Sequence, residues 1–125
     1  MPHLPYSIEL HDSRVSGLTV EHGVATVSLS PAYIHREGKG WRQQALLIVE
    51  GATLETNQTE FPVTCADGSL RTPDGPYHNP LNLPLEEGGP ISLQLEFFSG
   101  GMAVVRGSSI RVALAGNPVF VEDVT

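Results

Sequence analysis

The sequence contains little cysteine, few basic residues and no long apolar run. Cys65 is the only cysteine among 125 residues, so no internal disulfide can form and we expect a cytoplasmic protein. Seven Lys and Arg stand against fourteen Asp and Glu, a net charge of −7. We therefore expect neither nucleic acid nor an anionic membrane surface as partner, because both require a basic face. The longest apolar run, Ala45–Val49, is far short of the roughly 20 residues of a membrane span.

Aromatic residues are also few, at 6% of the chain, whereas 13 glycines and 10 prolines lie between short apolar runs. This punctuation predicts many turns and short strands, and no segment has the periodicity of a helix. The length is that of one domain, and we expect a single all-β domain over 1–125. Its fold class is predicted as an antiparallel β-sandwich, or a flattened partly open barrel, of about 8–10 short strands.

The clearest local pattern is a hairpin with His22-Gly23 at its turn, where glycine supplies a positive φ. The predicted register places Leu18 opposite Val27 and Ser16 opposite Leu29. Apolar residues then share one face and polar residues the other, which is typical of an antiparallel pair covering a core.

The rest of the chain is predicted to form further strands and one region rich in turns. Trp41–Glu50 is predicted as a central strand that continues beyond a bulge at Gly51. The stretch 67–90 is rich in turn dipeptides, and is either a functional loop or a strand region that the pattern conceals. Beyond it, separate strands are expected at 91–97, 102–106, 110–114 and 119–121, with turns at the intervening glycines.

Histidine is the usual proton shuttle and metal ligand, but the five histidines show no metal-ligand spacing. His11, Asp12 and Ser13 hold the residue types of a hydrolytic triad, yet consecutive strand residues point to opposite faces. Cys65 is interpreted as a small core residue. We therefore assign no catalytic residue, no metal ligand and no cofactor.

Candidate ligand-binding or partner-binding residues remain. Aromatic side chains line many small-molecule sites, and 77–79 offers a hydroxyl, an imidazole and an amide in succession. The alternative interpretation of 77–79 is a turn before Pro80. The candidate set is His11, Asp12, His35, Trp41, Tyr77, His78 and Asn79.

Two parts of the sequence resemble known proteins. The opening Leu10-His11-Asp12-Ser13-Arg14-Val15 resembles the start of small bacterial β-domains, some of which are immunity proteins of polymorphic toxin systems. The stretch from Asp67-Gly68 to Asp123 is similar to an uncharacterised bacterial all-β family. The shared residues are mainly turn and core residues, and the resemblance implies a fold and, through the opening, a toxin as partner.

Two functions follow as hypotheses. The first is a non-enzymatic interaction module that binds another protein, or itself through an edge strand, with its acidic surface suited to a basic partner. The second is a small metal-dependent or histidine-based enzyme, or a small-molecule binder, using His11, His35 and His78. Convergence of those histidines in a pocket would favour the second hypothesis, and their dispersal the first.

Overall fold

A computed structural model describes residues 6–36, 38–58, 60–78, 80–83 and 85–123. These residues form strands joined by turns and contain no helix, so none is present there that could cross a membrane. The strands are β1 (Tyr6–Glu9), β2 (Arg14–Glu21), β3 (Val24–Arg36), β4 (Lys39–Glu50), β5 (Thr53–Thr56), β6 (Val63–Thr72), β7 (Gly75–His78), β8 (Pro80–Asn82), β9 (Glu86–Phe97) and β10 (Met102–Asp123).

All ten strands belong to one antiparallel sheet, which confirms the predicted fold class. Six of them pair in a ring, in the order β2-β6-β9-β10-β4-β3, because β3 pairs with β2 again. The β2–β6 contact is short, with Arg14 facing Thr64 and Val15 facing Val63. The sheet is thus a flattened barrel with one short seam, and β1 and β8 extend it beside β3.

The β2–β3 hairpin has the predicted turn, and both His22 (φ 53°) and Gly23 (φ 76°) take positive φ there. Leu18 faces Val27 as predicted. Farther along the hairpin the prediction is wrong: Leu29 faces Val15, because a register shift between Val15 and Gly17 leaves Ser16 without a partner residue.

Strand β3 changes neighbour halfway along its length, and this change creates the site described below. Its first half pairs with β2 and its second half with β1. Between them, a register shift between Leu29 and Ala32 against β4 contains Ser30-Pro31. Proline cannot donate to the sheet ladder, which is why it sits at such an irregularity.

The continuation past Gly51 is confirmed, but the expected bulge is absent in register. β4 and β5 both pair with β10, and Glu50 facing Ser109 and Thr53 facing Arg106 have the same register. Gly51 takes a positive φ of 61° and kinks the strand without an inserted residue.

The stretch 67–90 consists largely of strands rather than a loop. The second part of β6, all of β7 and β8, and the start of β9 lie within it, and Asp67-Gly68 is inside β6 instead of at a turn. The turn residues proved misleading because pairing with β9 holds this backbone extended across a register shift between Cys65 and Asp67.

The three strands expected after Gly101 are likewise one strand, β10, of 22 residues. The glycine segments at 107–109 and 116–118 coincide with register shifts inside it, not with chain reversals. Both errors have one cause, since a glycine cluster predicts either a turn or a bulge and only the neighbouring strand decides which.

The core lies inside the sheet and consists of the inward-facing residue of each alternating pair. Ala45, Leu47 and Val49 on β4 are at most 2% exposed. Cys65 belongs to the same core, at 1% exposed, as predicted.

Candidate functional site

The turn between β1 and β2 is built by the Leu10–Ser13 segment. Leu10 is buried, and the N–H of Ser13 donates to the carbonyl of Leu10 at 3.3 Å. Asp12 occupies the positive-φ position of this turn (φ 69°), which Asp tolerates better than most residues. Its N–H donates to the carbonyl of Cys65, joining the turn to β6.

Ser13 is fully buried, and its hydroxyl fixes two strands. It donates to the Glu9 carbonyl and accepts from the Tyr33 N–H at 3.1 Å. Leu10, Asp12 and Ser13 therefore all stabilise the turn. His11 is the exception, because its side chain is 41% exposed and faces the cleft.

Register across β1, β3, β4 and β10 places a row of side chains on one face of the sheet. Glu9 faces Tyr33 and Tyr33 faces Arg42. Arg42 in turn faces Val119. Directly opposed residues of an antiparallel pair point to the same side, so these four side chains share a face.

A second row, two residues along β3, completes that face. His35 lies between Ser7 on β1 and Gly40 on β4. Gly40 faces Glu122 on β10. An ideal Cβ on Gly40 would lie 2.1 Å from the Tyr33 hydroxyl, so only glycine leaves room for the tyrosine to lean across the row.

The Glu9 carboxylate lies between two imidazoles. Its Oε2 is 2.8 Å from His11 Nδ1, and its Oε1 is 3.1 Å from His35 Nε2. The Glu9 side chain is only 15% exposed, against 31% for His35. Among the described residues neither Glu9 Oε2 nor His11 Nδ1 has a hydrogen-bond partner although both are buried, so the His11 contact is close without hydrogen-bond geometry.

Tyr33 connects this group to β10. Its hydroxyl donates to Glu122 Oε1 at 2.6 Å, and its ring meets the His35 ring edge-on with centroids 5.0 Å apart. Burial raises the pKa of Tyr33 to about 12, reinforced by the bond to Glu122 and by the negative charges of Glu122, Glu9 and Asp12. The three carboxylates thus act on one hydroxyl.

These residues line a cleft of about 430 Å³, which we call the acidic cleft. In the part of the chain that the structure describes, its charged side chains are the carboxylates of Glu9, Asp12 and Glu122 and the guanidinium of Arg42. Carboxylates therefore outnumber cations while the histidines are neutral. Among the described residues, the lining is Glu9, His11, Asp12, Pro31, Ala32, Tyr33, His35, Arg42, Val121 and Glu122.

Neither the Cys65 thiol nor the Ser13 hydroxyl is an accessible nucleophile. Burial raises the pKa of the Cys65 thiol to about 11, which keeps it protonated at neutral pH. The Ser13 hydroxyl is fully buried and engaged on both sides. Within the described ranges, no group of three or more His, Cys, Asp or Glu is arranged to hold a metal ion.

Of the candidate residues, His11, Asp12 and His35 converge in the acidic cleft. Trp41 does not: it faces Ile34 and Phe120, in the row between the two cleft rows, and so points to the opposite face. There it packs edge-on against Phe120, with ring centroids 5.5 Å apart.

Tyr77 and His78 are outside the lining of the acidic cleft. Tyr77 and His78 are on β7, which pairs with β6. His78 Nε2 is 2.8 Å from Asp67 Oδ1. Burial raises the pKa of Tyr77, reinforced by the charge of Glu87 and the hydrogen bond to it. Asn79 falls outside the described residues.

Sequence reasoning missed Glu9, Arg42 and Glu122. The sequence spacing indicates one part of the site, because Tyr33 and His35 are two residues apart on a strand and so share a face. Arg42 and Glu122 gave none, because they reach the cleft only through the pairing of β4 with β3 and β10.

No family model, curated protein or solved structure matches this chain. The site is therefore interpreted from its own geometry.

Proposed function

We propose that this protein is a non-enzymatic interaction module whose acidic cleft receives a basic side chain of a protein partner. The observation that carries the proposal is that the Glu9, Asp12 and Glu122 carboxylates line one cleft, in which Glu122 accepts a hydrogen bond from Tyr33. A lysine or arginine placed there gains charge-assisted hydrogen bonds to acceptors already held by the sheet. The net charge of −7 favours the approach of a basic partner to the whole molecule.

The resemblance at Leu10–Val15 implies a toxin as the partner, and a basic nuclease would suit this charge. The described structure gives Leu10, Asp12 and Ser13 roles within the turn itself. The proposal therefore depends on the cleft and not on the resemblance.

The test is a titration of ¹⁵N-labelled protein with Nα-acetyl-lysine methylamide and with its uncharged norleucine analogue. Shifts at Tyr33, His35 and Arg42 with the lysine compound alone are expected. Glu122→Gln should weaken its binding about threefold or more, since it removes one charged acceptor. Glu21→Gln changes net charge equally at the far end of β2 and serves as control. Equal binding of the norleucine compound would contradict the proposal.

A second candidate, a histidine-based enzyme, is favoured by the contacts of Glu9 with His11 and His35. A carboxylate that orients an imidazole is the arrangement used in general-base catalysis. Hydrolysis of p-nitrophenyl acetate by attack of water tests it. If a His11→Gln/His35→Gln variant is as active as the native protein, this candidate is excluded. If the variant loses tenfold or more of the hydrolysis rate, the candidate is supported.

A further inference from the structure

A second cleft adjoins the acidic cleft and shares two residues with it. It measures about 350 Å³, and Pro31 and Arg42 belong to both linings. The remaining lining residues are Ser30, Gln43, Gln44, Ala115, Gly116, Asn117 and Val119. The two clefts are therefore neighbouring parts of one depression beside the β3 irregularity.

The two clefts differ in chemistry. The described lining of the second cleft contains no carboxylate, and apart from Arg42 its polar side chains are amides and one serine hydroxyl. Gln43 Nε2 donates to the Gly116 carbonyl at 3.0 Å, which holds one wall. Val119 forms an apolar spot and is 62% exposed. Amides accept and donate hydrogen bonds, as the backbone of a bound peptide requires.

The cross-strand row gives the direction in which the clefts are connected. Tyr33, Arg42 and Val119 are successive partners across β3, β4 and β10, so Tyr33 and Val119 lie roughly 10 Å apart at about 4.8 Å per strand. Two residues of an extended peptide span about 6.6 Å of this distance, and the length of a lysine side chain spans the rest. A basic residue and an apolar residue two positions later thus match the spacing.

We propose that the two clefts form one groove that holds an extended segment of a protein partner, with a Lys or Arg in the acidic cleft and an apolar side chain two residues later on Val119. The inference rests on the proposed function, since its basic residue occupies that same cleft. The described carboxylates line the acidic cleft and not the second cleft, which suits a segment with a basic residue at one end and an apolar residue at the other.

The segment crosses the strands instead of adding to the edge of β10. Pro118 has no N–H to offer there, and register shifts fall on both sides of Val119–Phe120. Such irregularities are known to protect an edge from main-chain pairing. Side-chain contacts in the groove are accordingly the basis of recognition.

Three compounds test the inference by NMR titration: acetyl-Lys-Ala-Val-amide, acetyl-Nle-Ala-Val-amide and Nα-acetyl-lysine methylamide. The Lys-Ala-Val peptide should bind about fivefold tighter than the lysine compound and shift the side-chain amides of Gln44 and Asn117. Val119→Ser should abolish that gain. Val20→Ser, at a valine that is 41% exposed on β2, should retain it.

The outcomes separate the two proposals. If Nle-Ala-Val binds as well as Lys-Ala-Val, the proposed function fails. If the lysine compounds bind equally, or the gain survives Val119→Ser, only the extended groove fails. Sedimentation of the free protein adds a third result: a dimer that Val119→Ser dissociates would assign this surface to a second copy and overturn the inference.

Discussion

Tyr33 makes the charge of the acidic cleft measurable at a single atom. Its hydroxyl donates to Glu122, and the charges of Glu9 and Asp12 act on it as well. Ionising it would add a fourth negative charge to three carboxylates in a half-buried place. The pKa of Tyr33, about 12, therefore records burial first, and then the bond to Glu122 and the negative charge of the cleft.

Glu122→Gln should lower the pKa of Tyr33 part of the way from about 12 toward 10.0, because the charged acceptor is lost while burial remains. ¹³C NMR of the tyrosine Cζ atoms against pH measures this change. Since the folded pKa exceeds the unfolded one, Tyr33 stabilises the fold below about pH 10. That contribution to stability is lost as pH rises toward 12. The loss should be smaller in the Glu122→Gln variant, because its Tyr33 pKa is raised less. An unchanged pKa in Glu122→Gln, with Glu21→Gln as control, would contradict the assigned hydrogen bond.

Strands β3, β4 and β10 position the cleft as a unit, and the side chains of Tyr33 on β3 and Glu122 on β10 lie over Gly40 on β4. An added Cβ there would lie 2.7 Å from Tyr33 Cζ and 3.4 Å from Glu122 Cγ. The Tyr33 side chain can move aside, whereas the strand cannot. An alanine is therefore expected to disturb the cleft more than the sheet.

Gly40→Ala should displace Tyr33 from Glu122, lower the pKa of Tyr33 and weaken binding of Nα-acetyl-lysine methylamide. Its effect on unfolding should stay within about 1–3 kcal/mol, the range of overpacking in a place that can partly adjust. Gly17→Ala is the matched control, because an added Cβ there meets nothing within 4 Å. Retention of the Tyr33 pKa in Gly40→Ala would show that the tyrosine does not depend on that gap.

The whole molecule carries a net charge of −7, and the acidic cleft lies within that field. The field attracts cations before any contact forms, and salt screens it over a Debye length of about 10 Å at 0.1 M. Charge at this scale acts on the rate and salt dependence of binding, not on the fold.

Affinity for acetyl-Lys-Ala-Val-amide should fall about two- to fivefold between roughly 0.05 and 0.5 M NaCl, as screening grows. The uncharged Nle-Ala-Val peptide should change little or bind more strongly, since salt does not weaken apolar contacts. Titrations of both peptides at each salt concentration measure the difference. Parallel loss for the two peptides would show that charge does not select the ligand.

Local patterns predicted much of the fold because they depend on neighbours in sequence. The His22-Gly23 turn determines the register near it, and Leu18 faces Val27 as alternation requires. The predictions of register and of strand limits were wrong where strands distant in sequence pair. Ser16 is displaced by a register shift, and Asp67-Gly68 lies within a strand because β9 pairs beside it.

The candidate site followed the same division. His11, Asp12 and His35 were selected by residue type and do converge, but Trp41 was selected on the same basis and lies on the opposite face. Residue type describes what a side chain can do. Its face depends on register, and one residue of shift reverses it.

By itself, the sequence determined an acidic all-β chain with a defined hairpin and a buried Cys65, since composition, alternation and turn residues act locally. Only the tertiary structure decided that Glu9, Arg42 and Glu122 meet His35 and Tyr33 in one cleft. These residues come from four strands spread over more than a hundred positions, and pairing between distant strands is a property of the whole sheet.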